Sequence, residues 1–325
     1  MRLKLVPSET SWDFFKLSPI TFGISAIGFI ASIALFFVMG LNFGIDFRGG
    51  TTIRTESVNA VDVGAYRDVL APLGLGDVSI TEVFDPSFDD DENVAQIRIE
   101  AQSEAEDASV ATATIQAVEA ALKSIDPEIT FPSVESVGPK VSGELVQSAV
   151  IAVCLAIGAV LFYIWLRFEW QFSVGAVTAL VHDVALTIGI FSLLQIKFDL
   201  AIIAALLTIV GYSLNDTVVV FDRVRENLQK YKQRPLKEVL NISINETLSR
   251  TVMTSVTTLL ALISLFVLGG DVIRGFVFAM IWGVVIGTYS SVFVASAVLL
   301  RLGVKRDWSK KSDGRAGTKF ADIDA

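Results

Sequence analysis

One cysteine and one histidine in 325 residues exclude the chemistries that need several of either. Cys154 has no second thiol in the chain to bridge, so an internal disulfide is impossible, and a lone histidine cannot complete the three or four ligands of a zinc site. Cys154 itself lies in an apolar run, where a free cysteine behaves as a small packing residue. The patterns G-x-S-x-G, H-E-x-x-H and G-x-x-x-x-G-K-[ST] are also missing, so hydrolase, zinc-protease and P-loop ATPase readings have no motif behind them. The chain reads as a non-enzyme, and no cofactor and no metal are expected. Basic residues are scarce where nucleic acid would need them: positions 41–141 hold 19 Asp/Glu against 6 Lys/Arg, while the remaining segments are net basic.

Apolar residues are what the chain has in excess. They make up 52% of it, and the mean hydropathy is +0.59, which places it among polytopic membrane proteins. Six runs reach the about 20 residues needed to cross a hydrocarbon core of about 30 Å: 20–40, 145–166, 172–194, 200–221, 251–268 and 272–300. The first follows a polar amino terminus (1–19). It is longer than a signal-peptide core of about 7–15 residues and lacks a small-x-small site after it, so it reads as a retained anchor. Residues 222–250 read as a hydrophilic loop with room for an amphipathic surface helix, and 301–325 as a basic tail.

Between the first two spans, residues 41–141 alternate strand-like and helix-like pieces. Strands are expected at 51–55, 78–84, 94–100 and 129–137, with helices at 60–70 and 103–123, the second opened by a capping signature at Ser103. The order βαββαβ predicts a ferredoxin-like split βαβ domain. The acidic stretch 85–92 lacks the spaced pattern of a calcium loop and reads as a solvated turn. In G-I-D-F-R-G-G (44–50) the glycines suggest a tight loop leaving the membrane, since a phosphate cradle would need a parallel βαβ unit behind it.

Lys and Arg concentrate in 1–19, 223–250 and 301–319, against Lys197 and Arg274 in the two short loops on the other side. The positive-inside rule then puts both termini in the cytoplasm and 41–141 in the periplasm of a bacterium, with the protein multi-pass in the inner membrane. The tail K-R-D-W-S-K-K is placed to touch anionic lipid.

Within this frame Asp216 is out of place. It sits about six residues, or roughly 9 Å, inside the end of the fourth span, farther than its short side chain can reach to the headgroups. A charge in hydrocarbon costs roughly 2.5–3.5 kcal/mol, so an acid there faces a cavity, an ion path or a polar partner such as Asn215 or Tyr212. Counted from the opposite loops, Asp183, Asp216 and Arg250 lie roughly 18, 25 and 28 Å deep and could meet. Desolvation favours the protonated acid and a nearby guanidinium the ionised one, so Asp216 and Arg250 are the candidates for a proton-sensitive pair. Arg250 is also placed to snorkel. His182 and Asp183 are secondary candidates, either a second relay element or an interhelical hydrogen bond. On the last span Gly275, Ala279, Gly283, Gly287, Ser291 and Ala295 recur at every fourth position, a ridge that lets another helix approach closely.

Several stretches resemble the SecD/SecF family of protein-export membrane subunits, its SecF branch in particular, within the RND superfamily. They are GIDFRGGT (44–51), VGPKVSGEL (137–145), ALVHDVALTIGIFSL (179–193), GYSLNDTVVVFDRVREN (211–227) and TLSRTVMTSVTTLL (247–260). The resemblance implies an RND-type half bundle that works with SecD, uses the proton-motive force, and helps preproteins leaving the SecYEG channel across, with YajC as a further partner. The aspartate of N-D-T is Asp216 and the arginine of S-R-T is Arg250, the positions the family implicates in proton transport. Two other classes remain at this point. An RND-type exporter of lipid or small molecules would need a doubled bundle or large porter domains, and a non-transducing scaffold would tolerate Asp216→Asn.

Overall fold

A computed structural model of the chain describes residues 10–83, 93–100 and 108–304. The expected acidic turn at 85–92, the Ser103 capping signature and the K-R-D-W-S-K-K tail lie outside the described residues.

Helix α1 (Ser18–Met39) starts with a proline in its first turn, where no helical N–H is lost, and ends at Gly40 with φ 66°. A four-residue helix, α2 (Ile45–Arg48), follows. The chain then turns through Gly49 (φ 73°) and Gly50 (φ 127°), a conformation that side-chain-bearing residues rarely adopt, and enters β1 (Gly50–Ser57). Gly49 and Gly50 of G-I-D-F-R-G-G therefore make the tight turn between membrane and domain. Helix α3 (Val63–Leu70) starts three residues later than the periodicity suggests because Asp62 caps it, accepting hydrogen bonds from the Gly64 and Ala65 amides at 2.9 and 3.0 Å. Strands β2 (Val78–Val83) and β3 (Asn93–Glu100), helix α4 (Ala108–Ile125) and strand β4 (Thr130–Val137) complete the domain.

The sheet order is β2-β3-β1-β4, antiparallel throughout, which is the ferredoxin-like arrangement. Alternation divides its faces. Ile53, Ile80, Ile97 and Ile99 point into a core closed by Tyr66, Leu70, Val118 and Leu122. Thr52, opposite Arg98, and Arg54, opposite Gln96, belong to the other face, which looks toward the membrane helices. Arg98 fastens that face by donating to the Phe43 carbonyl at 3.2 Å and the Asn42 side chain at 3.3 Å. Beneath it Phe43 packs edge to face on Phe47 and Phe198, Phe191 packs edge to face on Phe198, and Phe47 lies tilted against Phe198.

The membrane part continues with α5 (Pro139–Arg167), α6 (Trp170–Leu194), α7 (Leu200–Lys230) and α8 (Leu236–Leu268). The sixth span is made of α9 (Asp271–Ser290), one π-helical turn (Ser291–Ala295) and α10 (Ser296–Leu302). The fold is thus a six-span helical bundle with an α+β domain inserted between the first and second spans. Helices α6, α7 and the sixth span form the inner layer; α1, α5 and α8 flank it with largely exposed apolar faces. Small residues set the inner spacing. A side chain at Gly283 would strike Ile209 Cδ1 at 2.6 Å, one at Gly287 would crowd Ser213 at 3.1 Å, and one at Gly175 would strike the Ala295 carbonyl at 2.9 Å. The every-fourth-residue ridge of the last span is the seam against α7.

Two expectations are corrected. Residues 222–250 are not a hydrophilic loop: α7 runs on to Lys230 and α8 begins at Leu236, leaving a short turn between them. The polar residues there concealed an amphipathic pair whose inner faces, Val224 and Leu228 against Val239, Leu240 and Ile244, are fully packed. Asn227 ties the pair by donating to Ser243 at 3.0 Å and Glu246 at 2.6 Å. The second span also starts at Pro139 rather than 145, because proline suits the first helical turn and the polar residues that follow extend the helix out of the apolar run.

Candidate functional site

The polar residues of the inner layer converge on Asp183, which is 1% exposed. Its Oδ2 accepts hydrogen bonds from Ser213 of α7 at 2.6 Å and from Ser290 of the sixth span at 2.7 Å. Its Oδ1 lies 2.9 Å from His182 Nδ1. A single carboxyl group thus joins three spans, with each oxygen partnered, as buried polar atoms generally are. His182 is stacked at 6.3 Å, tilted, on Tyr289, whose hydroxyl donates to the Thr21 carbonyl of α1 at 2.8 Å and lies 2.9 Å from Ser25. The imidazole Nε2 is buried without a partner among the described residues.

One helical turn along α7 from Ser213 come Asp216 and Thr217. Thr217 is satisfied by Ser291, at 3.0 Å within the π-helical turn, and by the Ser213 carbonyl at 3.1 Å. The π turn offsets the last span at the level of this hydroxyl cluster, and such bulges often accompany functional sites. Asp216 is different. It is 3% exposed, and its Oδ2 is buried with no hydrogen-bond partner.

Arg250, on α8, is exposed, yet its charge acts on Asp216 through space without a direct ion pair. The expected neighbours therefore share a site but do not touch: acid inside, base on the outer face of the next helix. Thr251, adjacent to Arg250, turns inward and leaves its own hydroxyl buried and unpartnered. Among the described residues no cluster of His, Cys, Asp or Glu has the makings of a metal site.

Sequence reasoning selected Asp183, His182, Asp216 and Arg250 but missed Ser213, Thr217, Ser290, Ser291 and Tyr289. Serine and threonine in an apolar helix fit packing and hydrogen bonding equally well, and only the neighbouring helices decide which. The one available signal was the small-residue ridge containing Ser291, which was read as packing.

Helix α7 also has an outer face. Ala201, Ala204, Thr208, Gly211 and Asn215 recur three or four residues apart and are all exposed. Small and polar residues in that spacing make the kind of surface on which membrane helices pack together, and among the described residues no helix covers it.

A six-span half bundle with an inserted ferredoxin-like domain, an unpaired acid in its core and an uncovered small-residue face defines a transport-type membrane subunit built to sit beside a partner. The comparisons are specific about which one. The family described as "Protein export membrane protein SecD/SecF, C-terminal" matches residues 117–305, and "SecD/SecF GG Motif" matches residues 34–61. The chain belongs to the SecD/SecF family. Among its relatives is the protein translocase subunit SecF of Cereibacter sphaeroides, 63% identical over 100% of this chain and 99% of that one. The SecF of Rhodobacter capsulatus is 60% identical over 95% of this chain and 94% of that one. In the crystal structure of SecDF from Thermus thermophilus, a translocon-associated membrane protein, the match is 35% identical with a TM-score of 0.80. It covers 93% of this chain but 40% of that longer one. Against SecDF in its super-membrane-facing form the coverage is the same and the TM-score falls to 0.64, so the arrangement here is nearer the first.

Proposed function

We propose that this protein is the SecF-type half of a protein-export machine in the bacterial inner membrane, coupling proton movement to preprotein translocation together with a SecD-type partner. The SecYEG channel, with YajC as a further component, is the assembly it serves. The observation that carries the reading is Asp216, a carboxylate buried without a hydrogen bond, facing the field of a guanidinium that stands apart on the next helix. Protonated, the acid suits its apolar surroundings; ionised, it draws Arg250 inward. A proton entering from one side and leaving toward the other thereby alternates two packings of α7 against α8. Moving one charge through the membrane potential supplies about 2.3 kcal/mol per 100 mV, enough to shift a two-state bundle by more than tenfold.

The uncovered face of α7 is where the partner's spans pack, since it carries the small residues and lies beside the acid. In the orientation given by the lysines and arginines, the inserted domain is periplasmic and moves with the bundle through the Gly49-Gly50 turn. A single cysteine placed at Asp62 in a Cys154→Ser background tests that side: a membrane-impermeant maleimide should label it in intact spheroplasts.

The decisive test is preprotein translocation into inverted membrane vesicles with and without a protonophore. Asp216→Asn should remove the protonophore-sensitive part, a loss of about tenfold or more, while the variant still accumulates and co-purifies with its partner. Arg250→Lys should lose most of it, because a point charge does not replace the guanidinium fork. Wild-type translocation by Asp216→Asn would reduce the protein to a passive subunit.

A further inference from the structure

Between the polar face of the sheet and the membrane helices lies a cavity of about 670 Å³, within the roughly 300–1,000 Å³ typical of sites for small ligands. Its two walls differ in chemistry. The helix side is apolar, with Ile196, Phe266, Phe276 and Phe278. The sheet side is polar, with Thr52, Gln96, Ser133 and Glu135. Charges of both signs ring it: Asp46, Glu135 and Asp199 against Arg54, Lys197 and Arg274.

Its depth is set by the spans. Phe266 lies two residues before the end of α8, Asp199 caps the start of α7, and Arg274 lies in the first turn of α9. The floor of the cavity is therefore at the headgroup level of the leaflet on the domain side, and its phenylalanines continue into the hydrocarbon. Beside it the outer end of α8 leaves Ile263, Val267 and Leu268 exposed, an apolar flank along which chains can lie.

Thr52 is the second observation. It is 7% exposed, lines the cavity, and its Oγ1 has no hydrogen-bond partner among the described residues, although a buried hydroxyl left unpaired costs about 1–3 kcal/mol. Lys197, on the opposite wall, takes part in no salt bridge or hydrogen bond among the described residues. Thr52 on the sheet wall and Lys197 on the helix wall thus both line the cavity, Lys197 within the field of Asp199, and the Glu135 carboxylate is on the same face of the sheet as Thr52, directly across the strand pair.

We infer that this cavity holds one zwitterionic phospholipid of the amine-headgroup type. Lys197 and Thr52 bind the phosphate, Glu135 receives the ammonium, and the acyl chains lie on Phe266, Phe276 and Phe278. The equal numbers of cationic and anionic groups favour a headgroup that is itself neutral, and the apolar wall favours a lipid over a free phosphate compound. The bound lipid cements the inserted domain to the bundle. This inference is independent of the proton-coupling proposal.

The test is native mass spectrometry of the full chain, alone and with its partner, released from micelles containing phosphatidylethanolamine or phosphatidylglycerol. One phosphatidylethanolamine should be retained per chain, at least fivefold more than phosphatidylglycerol, and millimolar phosphoethanolamine should not displace it. Lys197→Gln and Thr52→Val should each cut retention at least fivefold, with the thermal unfolding midpoint in lipid-free detergent unchanged for Lys197→Gln and unchanged or raised for Thr52→Val, which removes an unpaired hydroxyl. Lys197→Gln, at a half-exposed position, keeps the test valid if the buried Thr52→Val misfolds. No retained lipid, equal retention of the two lipids, displacement by phosphoethanolamine, or retention unaffected by Lys197→Gln would overturn the inference. So would a photo-crosslinker at Gln96 that captures translocating polypeptide with no lipid adduct, which would give the cavity to polypeptide instead.

Discussion

Ser213 donates its hydroxyl to Asp183 across the α6–α7 interface at 2.6 Å, and one turn farther along the same helix Asp216 is buried with an oxygen that no described residue satisfies. Two carboxylates at neighbouring levels of one bundle have opposite circumstances. Asp183 is held by three side chains from three spans and has the geometry of a fixed node. Asp216 is held by none.

That contrast predicts opposite effects from the same substitution. Asp183→Asn replaces one of two partnered acceptor oxygens with a donor, leaves either Ser213 and Ser290 or His182 without a partner, and should destabilise the bundle by about 1–3 kcal/mol. Asp216→Asn exchanges an unpaired buried acid for a neutral isostere and should leave the unfolding midpoint unchanged or slightly raised, while abolishing proton-dependent export. Thermal unfolding in detergent compares the two. Equal destabilisation would mean that Asp216 is a structural residue as well.

A second prediction separates folding from assembly at Gly211. A Cβ there meets nothing within 4 Å, and a glycine inside a helix costs about 1 kcal/mol relative to alanine. In the isolated chain Gly211→Ala should therefore be neutral or stabilising. If the small-residue face of α7 is the partner's seat, the larger Gly211→Leu should reduce co-purification with the SecD-type subunit severalfold at unchanged chain stability. Undiminished co-purification would move the partner to another face.

Much of the fold could be read from the sequence because membrane spans and a ferredoxin-like domain both follow from period and length. Ile53, Ile97 and Ile99 alternate as strand residues must, and the spans are long apolar runs. The error at 222–250 came from treating charge as a sign of loop: Arg223, Glu226 and Glu246 are charged because they face outward, while Val224, Leu228 and Ile244 keep the helical period underneath. At the site, Asp183 and Asp216 drew attention because carboxylates are costly in lipid. Their different roles were not legible, since the hydroxyls that distinguish them come from residues 213 and 290, far apart in sequence. Arg250 was placed at a matching depth, but which side of α8 it occupies depends on where α7 and α9 lie.

The approach of α1 to α6 yields a third prediction. A Cβ at Gly189 would fall on Ser32, including its backbone Cα at 2.7 Å, and backbone cannot move aside as a side-chain tip can. Gly189→Ala should push α1 from the bundle and cost about 1–3 kcal/mol, despite alanine's better helix propensity. Gly158→Ala on α5, where nothing lies within 4 Å, is the matched control and should be neutral or stabilising. Equal midpoints for the two variants would show that α1 is not packed on α6 as closely as described.

The inserted domain carries a fourth prediction, at the turn between α4 and β4. Asp126 is 7% exposed and accepts a short hydrogen bond from the Ser57 hydroxyl, with further bonds from the Asn59 amide at 3.2 Å and the Glu128 N–H at 3.1 Å. These donors, Ser57 foremost, hold its carboxyl below the usual range, against the opposing effect of burial. A lowered folded-state value means that the ionised acid stabilises the fold. The contribution is complete above the ordinary aspartate value of about 3.9 and is lost as pH falls through the lower folded one. Ser57→Ala moves the folded value back toward the ordinary one, so the variant should unfold roughly 2–4 °C lower than the parent at neutral pH. The gap should close on acidification, as Asp126 takes up its proton in the variant before it does so in the parent. Unfolding of the full chain in detergent between about pH 2 and 7, followed by a fluorophore attached within the domain, measures it. A gap that stayed constant across that range would mean that Ser57 acts by packing alone, with no part in holding the charge.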